Sequence, residues 1–434
     1  MATISERSLT KLPYGVGRIT GSWLLLIGLA ALLFSWGLYA YTHQLIEGEI
    51  VTGLRNVGTM RGVTWGLYVV FVIYFIGVSF AGIAVATLIR LFNLNHLRPV
   101  ARMAELLTVI TLILGAFSIL IDLGQPLRGL TNLFRFARPQ SPFFGTFTLV
   151  ISGYLLATLV YLYLDSRQDS AICARMPGKL QRLHRLWAAG YRDTPAERER
   201  HKRVSFWLAI AIFPLLVTAH STLGFVFGLQ VGRPGWYSAL QAPAFVILAG
   251  VSGVGALLII AAALRRVTQE EQLLSMDLFR WLGKLLMILI LTYLYFMIVE
   301  VLTGTYTGHH HEVRLTEALL WGQYAWIFWL SVALLVAPLA LLIQQALTGR
   351  WRIALLVASG ILVNLAAIGK RYLIVVPSQT HGALLPYGVG SYTPTWVEYS
   401  IIIGLFGLGT LLFALFMKAF PIMHIPESGS GGES

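Results

Sequence analysis

The chain alternates long apolar stretches with short polar connections along almost its whole length. A helix needs about 20 mainly apolar residues to cross the hydrocarbon core of a bilayer. Ten stretches are long enough, so the predicted fold class is all-α, a polytopic membrane protein of about ten transmembrane helices. In chain order, these spans cover roughly residues 19–41, 63–91, 101–123, 143–164, 204–225, 241–264, 281–303, 320–347, 353–372 and 397–420.

The composition indicates an exterior that faces lipid. Hydrophobic residues make up 57% of the chain and charged residues only 12%, whereas soluble proteins carry roughly 25% charged residues. This leaves too little polar surface to cover a protein that faces water. The single cysteine, Cys173, excludes an intramolecular disulfide and a cysteine-ligated iron–sulfur cluster within this chain.

The positive charges predict the orientation of the helices. Lys and Arg accumulate in cytoplasmic loops. With ten spans, 23 of the 32 Lys and Arg residues fall on the side that holds both termini, and 9 fall on the other. We therefore expect both termini to be cytoplasmic, and we attribute the net charge of +13 to topology rather than to nucleic acid binding. The basic segment 182–203 is expected to be a solvated cytoplasmic helix or loop, with a patch for anionic lipid as the alternative.

Four spans that run from inside to outside each carry one ionisable residue near the predicted outer end. These residues are Asp122, His220, Glu300 and Arg371. An ionisable side chain within a membrane span is energetically unfavourable and commonly marks a functional site. The alternative is that these side chains are merely solvated in the headgroup region, which applies first to Arg371.

The predicted outer loops are rich in glycine, proline and aromatic residues, as in GLQVGRPGWYSALQAP between spans five and six. Such loops suit fixed turns and short re-entrant pieces. Trp236, Tyr237, Tyr392 and Trp396 also have the ordinary interpretation of an interfacial aromatic belt. Together with the four ionisable residues, the loops predict a shaped site or a docking surface on the outer face.

The histidines do not favour a metal or an internal haem. His220 is the one histidine of ten that lies well inside a span, whereas a bis-histidine haem needs two. The consecutive residues His309, His310 and His311 lack the spacing that places ligands on one helix face. No metal site is therefore predicted.

Acid–base chemistry on a quinone head group suits the remaining residues. Asp122, His220 and Glu300 are the candidate catalytic residues, because carboxyl and imidazole groups in a desolvated site exchange protons near neutral pH. The candidate quinone-binding residues are Asp122, His220, Glu300, Arg371, Tyr237 and Gln125. With no electron carrier predicted in this chain, electrons would pass to or from a partner protein at the outer face.

Two similar stretches indicate an internal duplication. GVSFAG (residues 77–82) in span two and GVSGVG (250–255) in span six lie 173 residues apart, and Asp122 and Glu300 lie 178 apart. The prediction is one four-helix bundle over residues 63–225 and a second, pseudo-symmetric one over residues 226–376. Residues 1–62 would hold the cytoplasmic N-terminus, the first helix and an outer loop, and residues 377–434 the last helix and the cytoplasmic tail.

Several segments occur in an order that resembles a known family. They are WGLYVVFVIYFIGVSFAG in span two, IDLGQPLR after span three, AHSTLGFVFG and PGWYSALQAPAF around spans five and six, FMIVE in span seven and SYTPTWVEYSIIIG at span ten. Over about residues 60–415 the chain resembles the NrfD/PsrC family, the integral membrane subunits of polysulfide reductase-like complexes.

The resemblance implies a menaquinone or ubiquinone site near the outer surface and no haem or iron–sulfur cluster in this chain. It also implies an iron–sulfur ferredoxin-like partner, with a further molybdopterin, hydrogenase or multihaem subunit, on the outer face of a bacterial or archaeal cytoplasmic membrane.

The leading interpretation is thus a membrane anchor and quinone-reactive subunit of a respiratory oxidoreductase, rather than a catalyst on its own. An ion or solute transporter without redox chemistry is the alternative, and a purely structural anchor is a third. If turnover also moves protons, Glu105 and Lys284 near the inner ends of spans three and seven are candidates for proton uptake, although such residues commonly serve as interfacial anchors.

Overall fold

The computed structural model describes residues 12–54, 63–94, 97–136, 140, 148–306, 309–382 and 389–425. Every regular element in these ranges is a helix, and ten helices are long and apolar enough to cross a membrane. The predicted all-α membrane fold, with its ten spans, is therefore confirmed. The ten helices are α1 (Gly21–Glu47), α2 (Leu67–Leu91), α3 (Arg98–Asp122), α5 (Thr148–Cys173), α7 (Pro195–Gly228), α8 (Gln241–Thr268), α9 (Met276–Tyr306), α11 (Ala325–Thr348), α12 (Ile353–Val375) and α14 (Trp396–Ala419).

Four shorter helices lie in the connections. Two of them, α4 (Pro126–Phe136) and α10 (His310–Leu320), fall where the sequence predicted glycine- and proline-rich outer loops. The third, α6 (Gln181–Ala188), lies in the basic region before α7, and α13 (Pro377–Thr380) directly follows α12. These connections therefore contain fixed pieces of structure rather than only extended loop.

Helix α2 lies at the centre of the packing. Of its most apolar 18-residue window, 89% is buried inside the protein, and it contacts α3, α7, α8 and α12. Helices α3, α5 and α7 adjoin α2 or one another, while α9, α11 and α12 adjoin α8 or one another. Helices α1 and α14 pack together beside α3. The division of the chain at residues 225 and 226, and the duplication, stay predictions.

Glycine allows close helix packing at two crossings. A Cβ atom on Gly253 of α8 would lie 2.5 Å from Ala81 Cβ and 2.6 Å from Val78 O on α2. A Cβ atom on Gly37 of α1 would lie 2.6 Å from Gly404 Cα on α14. Real Cβ atoms do not approach so closely, so small residues set both crossings. The two glycine-rich stretches that suggested the duplication thus meet at the α2–α8 crossing.

The connections gather at two ends of the helix bundle. We call the end formed by the connections after α2, α5, α8 and α11, with residues 12–20 and 420–425, the basic end. There, Gly17 N donates to Lys418 O at 3.0 Å. We call the opposite end, formed by the connections after α1, α3, α7, α9 and α12, the aromatic end. There, the rings of Trp65 and Trp236 stack with centroids 5.6 Å apart.

One buried carboxylate, Glu398, holds three segments together at the aromatic end. Thr395 and Glu398 form a capping box at the start of α14, where Glu398 Oε2 accepts from Thr395 N at 2.9 Å. The same oxygen accepts from Gly53 N at 2.7 Å, and the Tyr392 hydroxyl donates to Glu398 Oε1. The Tyr392 oxygen in turn accepts from Leu67 N at 2.7 Å. The α1–α2 connection, the start of α2 and the start of α14 therefore share one anchor.

Replacing Glu398 with alanine should lower the thermal stability of the protein. The substitution leaves Gly53 N and the Tyr392 hydroxyl without their acceptor, and the loss of a hydrogen bond to a charged group costs about 1.5–3 kcal/mol. The unfolding temperature of the detergent-purified protein should fall by a few degrees or more. Glu317→Ala, an exposed position at the same end, is the matched control. Equal unfolding temperatures for the two variants would contradict the anchoring role.

Candidate functional site

Four polar side chains meet at the aromatic end, where α1, α2 and α3 converge. The Tyr68 hydroxyl on α2 donates to Gln44 Oε1 on α1 at 2.6 Å. Gln44 Nε2 donates to Glu49 Oε1 at 3.0 Å and to Ile121 O at 3.4 Å. Asp122 directly follows Ile121, and a Cβ atom on Gly124 would lie 3.1 Å from Glu49 Oε1, so the end of α3 adjoins Gln44 and Glu49. We call Gln44, Glu49, Tyr68 and Asp122 the Asp122 cluster.

The Asp122 cluster lies where the protein interior meets an apolar outer surface. Gln44 and Tyr68 are buried, and Asp122 is half-buried. Leu123 and Leu127, which follow Asp122 along the chain, are 42% and 79% exposed. The cluster therefore places two partly exposed carboxyl groups, together with a buried hydroxyl and a buried amide, beside a surface that an apolar molecule can approach.

A second site, which we call the central cavity, lies deeper between α2, α7, α8 and α12. It is a small space with room for about one water molecule, and it brings together two predicted site residues, His220 and Arg371. Gly77, which also lines it, is nine residues beyond Tyr68 on α2, a rise of roughly 13 Å. His220 and Arg371 thus share one cavity that is separate from the Asp122 cluster. The other lining residues are Ile73, Leu223, Phe245, Leu248 and Ile374.

The His220 ring lies between two backbone carbonyl groups. Its Nδ1 is 2.9 Å from Leu216 O on the same helix, and its Nε2 is 2.8 Å from Ile76 O on α2. A carbonyl oxygen only accepts, and a neutral imidazole donates from only one of its nitrogens. Both contacts are therefore hydrogen bonds at once only when the ring carries two protons. This arrangement supports a role in proton exchange, which stays a prediction.

Arg371 is buried in protein rather than solvated near lipid headgroups. Arg371 is 1% exposed. Its Nη2 donates to Ser252 Oγ at 3.1 Å, and its guanidinium carbon lies 5.5 Å from the centre of the Tyr74 ring. Neither Nε nor Nη1 has a hydrogen-bond partner among the described residues. Because buried donors need acceptors, these two nitrogens require an oxygen acceptor, and the central cavity has room for about one water molecule. The alternative of a headgroup location is therefore wrong for Arg371.

Glu300 forms an ion pair with Lys370, a residue that the sequence pattern did not single out. Lys370 Nζ lies 2.6 Å from Glu300 Oε2, and the side chains are 4% and 39% exposed. Lys370 directly precedes Arg371 on α12, and Tyr293 interacts electrostatically with both Glu300 and Arg371. Glu300 therefore belongs to a pair on α9 and α12 near Arg371, rather than to the Asp122 cluster.

The two remaining predicted site residues, Gln125 and Tyr237, are exposed at the aromatic end. His309, His310 and His311 are exposed as well. The described part of the chain contains no group of three or more His, Cys, Asp or Glu side chains placed to hold a metal ion. Gln125 and Tyr237 are thus available to a molecule or a partner that approaches this end.

Two of the four aromatic residues assigned to an interfacial belt are buried, so that interpretation is wrong for Trp236 and Tyr392. Trp236 Nε1 donates to Ile374 O at 2.6 Å. In the same connection, Gly235 N donates to the Glu312 carboxylate at 2.9 Å, and burial raises the pKa of Glu312. The connection between α7 and α8 is therefore anchored to α12 and to α10. Sequence periodicity could not distinguish this buried tryptophan from one at the lipid interface.

A buried group of charges at the basic end was mostly missed by sequence reasoning. Only Glu105 was a candidate there, while Lys284, the other candidate, is exposed. The available signal was a pair of aspartates four residues apart near the end of α5, which places both on one helix face. We call the following five residues the basic-end cluster: Arg90, Arg102, Glu105, Asp165 and Asp169.

Comparison with known proteins places this architecture among membrane subunits of reductases. A protein-family model described as "Polysulphide reductase, NrfD" matches residues 55–383. A Halobacterium salinarum protein, named as a putative membrane subunit of dimethyl sulfoxide reductase, is 30% identical, over 94% of this chain and 93% of that protein. A selenate reductase subunit of Mesobacillus selenatarsenatis is 28% identical, over 89% and 92%. The Hdr-like menaquinol oxidoreductase integral membrane subunit of Archaeoglobus fulgidus is 26% identical, over 93% of each chain.

The Glu300–Lys370 pair predicts a measurable coupling. Glu300→Gln leaves a buried ammonium group without its carboxylate, so we expect a loss of about 1–3 kcal/mol, reduced from the value of a fully buried pair because Glu300 is partly exposed. The double variant Glu300→Gln, Lys370→Met should recover much of this loss in thermal unfolding. Lys284→Met, at an exposed lysine, is the control. Strictly additive effects of the two substitutions would contradict the pairing.

Proposed function

This chain belongs to the NrfD polysulphide reductase family, and from that membership we propose that it is the quinone-reactive membrane subunit of a multi-subunit oxidoreductase. The family resemblance predicted from the sequence is confirmed, and the chain is a multi-pass integral membrane protein. The relatives are named as membrane subunits of reductases, and one is named as part of a menaquinol oxidoreductase. These names support catalytic partner subunits and a quinone or quinol as the substrate.

The Asp122 cluster is the observation that carries the proposal. A quinol that is oxidised releases two electrons and two protons, and a quinone that is reduced takes up the same. The Tyr68 hydroxyl and the Gln44 amide are suited to hydrogen-bond the head-group oxygens, and the carboxyl groups of Asp122 and Glu49 are suited to exchange the protons. Gln125, exposed beyond Asp122, extends the set of possible polar contacts. The electrons pass to or from an iron–sulfur centre of a partner subunit.

The surroundings of the Asp122 cluster suit a substrate that arrives from lipid. Phe117 on α3 is 43% exposed and Leu127 on α4 is 79% exposed. On α1, which carries Gln44, Leu38 and Ile46 are 52% and 75% exposed. An apolar tail therefore has a surface to follow while its polar head group reaches the cluster, as a membrane-dissolved quinone requires.

The central cavity and the Glu300–Lys370 pair supply the other residues in the proposal. His220 and Arg371 lie roughly 13 Å deeper than Tyr68 along α2. We assign His220 and Glu300 to proton exchange within the bundle and Arg371 to holding an oxygen acceptor in the cavity. Tyr237, exposed at the aromatic end, belongs in this proposal to the surface on which the partner docks.

The aromatic end faces outward in this proposal, with both termini in the cytoplasm. The excess of Lys and Arg at the basic end supports that orientation. An iron–sulfur ferredoxin-like subunit, with a further molybdopterin, hydrogenase or multihaem subunit, would dock at the aromatic end of a bacterial or archaeal cytoplasmic membrane. Electrons would then cross only the short distance between the Asp122 cluster and the partner.

Substitution in the Asp122 cluster tests the quinone site. In the assembled complex, Asp122→Asn and Tyr68→Phe should each lower quinol-dependent turnover by roughly tenfold or more, because a positioned proton-exchange group contributes at least that much. Glu47→Gln, an exposed carboxyl group on α1 at the same end, should leave turnover unchanged. Assembly is checked by co-purification of the partner subunits. Full turnover by both cluster variants in assembled complexes would contradict the proposed site.

The orientation has a separate test. A reporter enzyme that needs a disulfide, and so folds only outside the cytoplasm, is fused after Ile425 or inserted after Tyr237 in the full chain. The reporter should be inactive after Ile425 at the basic end and active after Tyr237 at the aromatic end. The reverse pattern would overturn the orientation without affecting the assignment of the Asp122 cluster.

A further inference from the structure

The basic-end cluster joins three helices through buried charges. Arg90 on α2 forms an ion pair with Asp165 on α5, and Arg102 on α3 forms one with Asp169 on α5. Arg102 Nη2 also donates to Asp165 O at 2.7 Å. Glu105 on α3 completes the group, with its Oε1 4.0 Å from Arg90 Nη2. Arg102, Glu105, Asp165 and Asp169 are all at most 8% exposed, so protein rather than water must balance their charges.

Glu105 has an unusual place in this cluster. It is fully buried, and neither of its carboxyl oxygens accepts a hydrogen bond from a donor group among the described residues. The Asp165 carboxyl group lies beside it, because both carboxyl groups contact the same guanidinium nitrogen, Arg90 Nη2. Asp165 Oδ1 likewise has no donor among the described residues. Two carboxyl groups can hydrogen-bond to each other only when one of them carries a proton.

The charges of the basic-end cluster also indicate one bound proton. Two guanidinium groups face three carboxyl groups, so one bound proton makes the five residues neutral together. The groups that face the pair from neighbouring elements are Arg90 from α2, Arg102 from α3, Tyr161 and Asp169 from α5, His201 from α7 and His424 from the C-terminal segment. Asp169 is engaged by Arg102, by His424 Nδ1 at 3.3 Å and by Ile425 N at 3.3 Å. Within the cluster, the carboxyl oxygens that lack a hydrogen-bond donor among the described residues belong to Glu105 and Asp165 and not to Asp169, which points to this pair as the place where a proton binds.

A path to solution begins at Asp165. His201 Nε2 lies 3.8 Å from Asp165 Oδ1. His201 also lines a cleft of about 140 Å³ at the basic end, together with Tyr191, Glu197 and Arg200. Arg200 is exposed, so the cleft is open to solvent. Among the described residues, His201 is thus the histidine positioned between this cleft and the buried carboxyl pair, and histidine accepts and releases protons near neutral pH.

We propose that Glu105 and Asp165 form a proton-binding site at the basic end, which exchanges its proton with the solution through His201 and the cleft. The exchange consists of a proton leaving a hydronium ion or water in the cleft, passing over the His201 ring and binding the carboxyl pair. The reverse sequence releases it. The proton passes from solvent to His201, then to Asp165 and Glu105. Glu105 lies 17 residues before Asp122 on α3, roughly 25 Å away along the helix.

The use of this site during turnover rests on the proposed function. If quinone chemistry takes place at the Asp122 cluster, a proton taken up at Glu105 enters from the opposite end of α3. Proton uptake at one end and quinone chemistry at the other would separate charge across the membrane. The binding of the proton itself requires no quinone, so the two proposals can fail independently.

Infrared difference spectroscopy on the purified full chain tests the binding site directly. A protonated carboxylic acid has a C=O stretching band that is distinct from carboxylate bands and shifts in D2O. The difference between wild type and Glu105→Gln should contain such a band, and Glu105→Asp should retain one at a shifted frequency. Asp277→Asn, at an exposed carboxyl group at the same end, should leave the acid band unchanged. The absence of an acid band in the Glu105→Gln difference would overturn the proposal.

The route is tested by the rate at which the band shifts after transfer to D2O. His201→Phe should slow the shift by roughly tenfold or more, because it removes the proton-transfer group between the cleft and Asp165. Asp122→Asn should alter neither the band nor its rate, although it lowers turnover under the proposed function. An unchanged rate in His201→Phe would overturn the route. Because this measurement follows the wild-type acid band, it remains decisive even if Glu105→Gln does not fold.

Discussion

The burial of α2 on nearly all sides is the constraint on which the arrangement of polar groups depends. Protein covers 89% of its most apolar window, so any polar group that touches it must find a partner inside the protein. The partners come from four different helices. The Tyr68 hydroxyl bonds Gln44 of α1, Ile76 O contacts His220 of α7, Ser79 O accepts from Thr108 of α3, and Arg90 pairs with Asp165 of α5.

These partners divide the length of α2 into three levels. Tyr68 marks the Asp122 cluster at the aromatic end, Gly77 marks the central cavity, and Arg90 marks the basic-end cluster. The first and last levels are 22 residues apart, roughly 33 Å along a helix, which is about the thickness of a bilayer core. Under the two proposals, quinone chemistry and proton uptake therefore lie at opposite ends of a single helix, with His220 and Arg371 between them.

The sequence was sufficient for the fold class and for the number of spans. Ten apolar stretches of the right length predicted ten spans, and the ionisable residues inside them drew attention to Asp122, His220, Glu300 and Arg371. Hydrophobic periodicity reports how deep a residue lies, but it does not report which helix lies opposite. For this reason Gln44 and Glu49, which adjoin Tyr68 from outside the predicted first bundle, were missed.

The same limit explains the other differences between expectation and structure. Lys370 was missed as the partner of Glu300 because a lysine near a helix end has the ordinary interpretation of an interfacial anchor. Asp165 and Asp169 fell beyond the predicted end of the fourth span, and their burial depends on Arg90, Arg102 and the C-terminal segment. Trp236 was assigned to the lipid interface because nothing local indicates its contact with Ile374 O. Each of these depends on contacts between distant parts of the chain.

Binding of a quinone at the Asp122 cluster can be tested by cross-linking with a photoreactive quinone analogue. The analogue is added to the purified complex in lipid, with excess natural quinone as competitor, and labelled peptides are identified by mass spectrometry. We expect competitor-sensitive labels on the end of α1, the start of α2 and the end of α3, close to Gln44, Tyr68 and Asp122. Competitor-sensitive labels confined to other helices, or none at all, would contradict binding at this cluster.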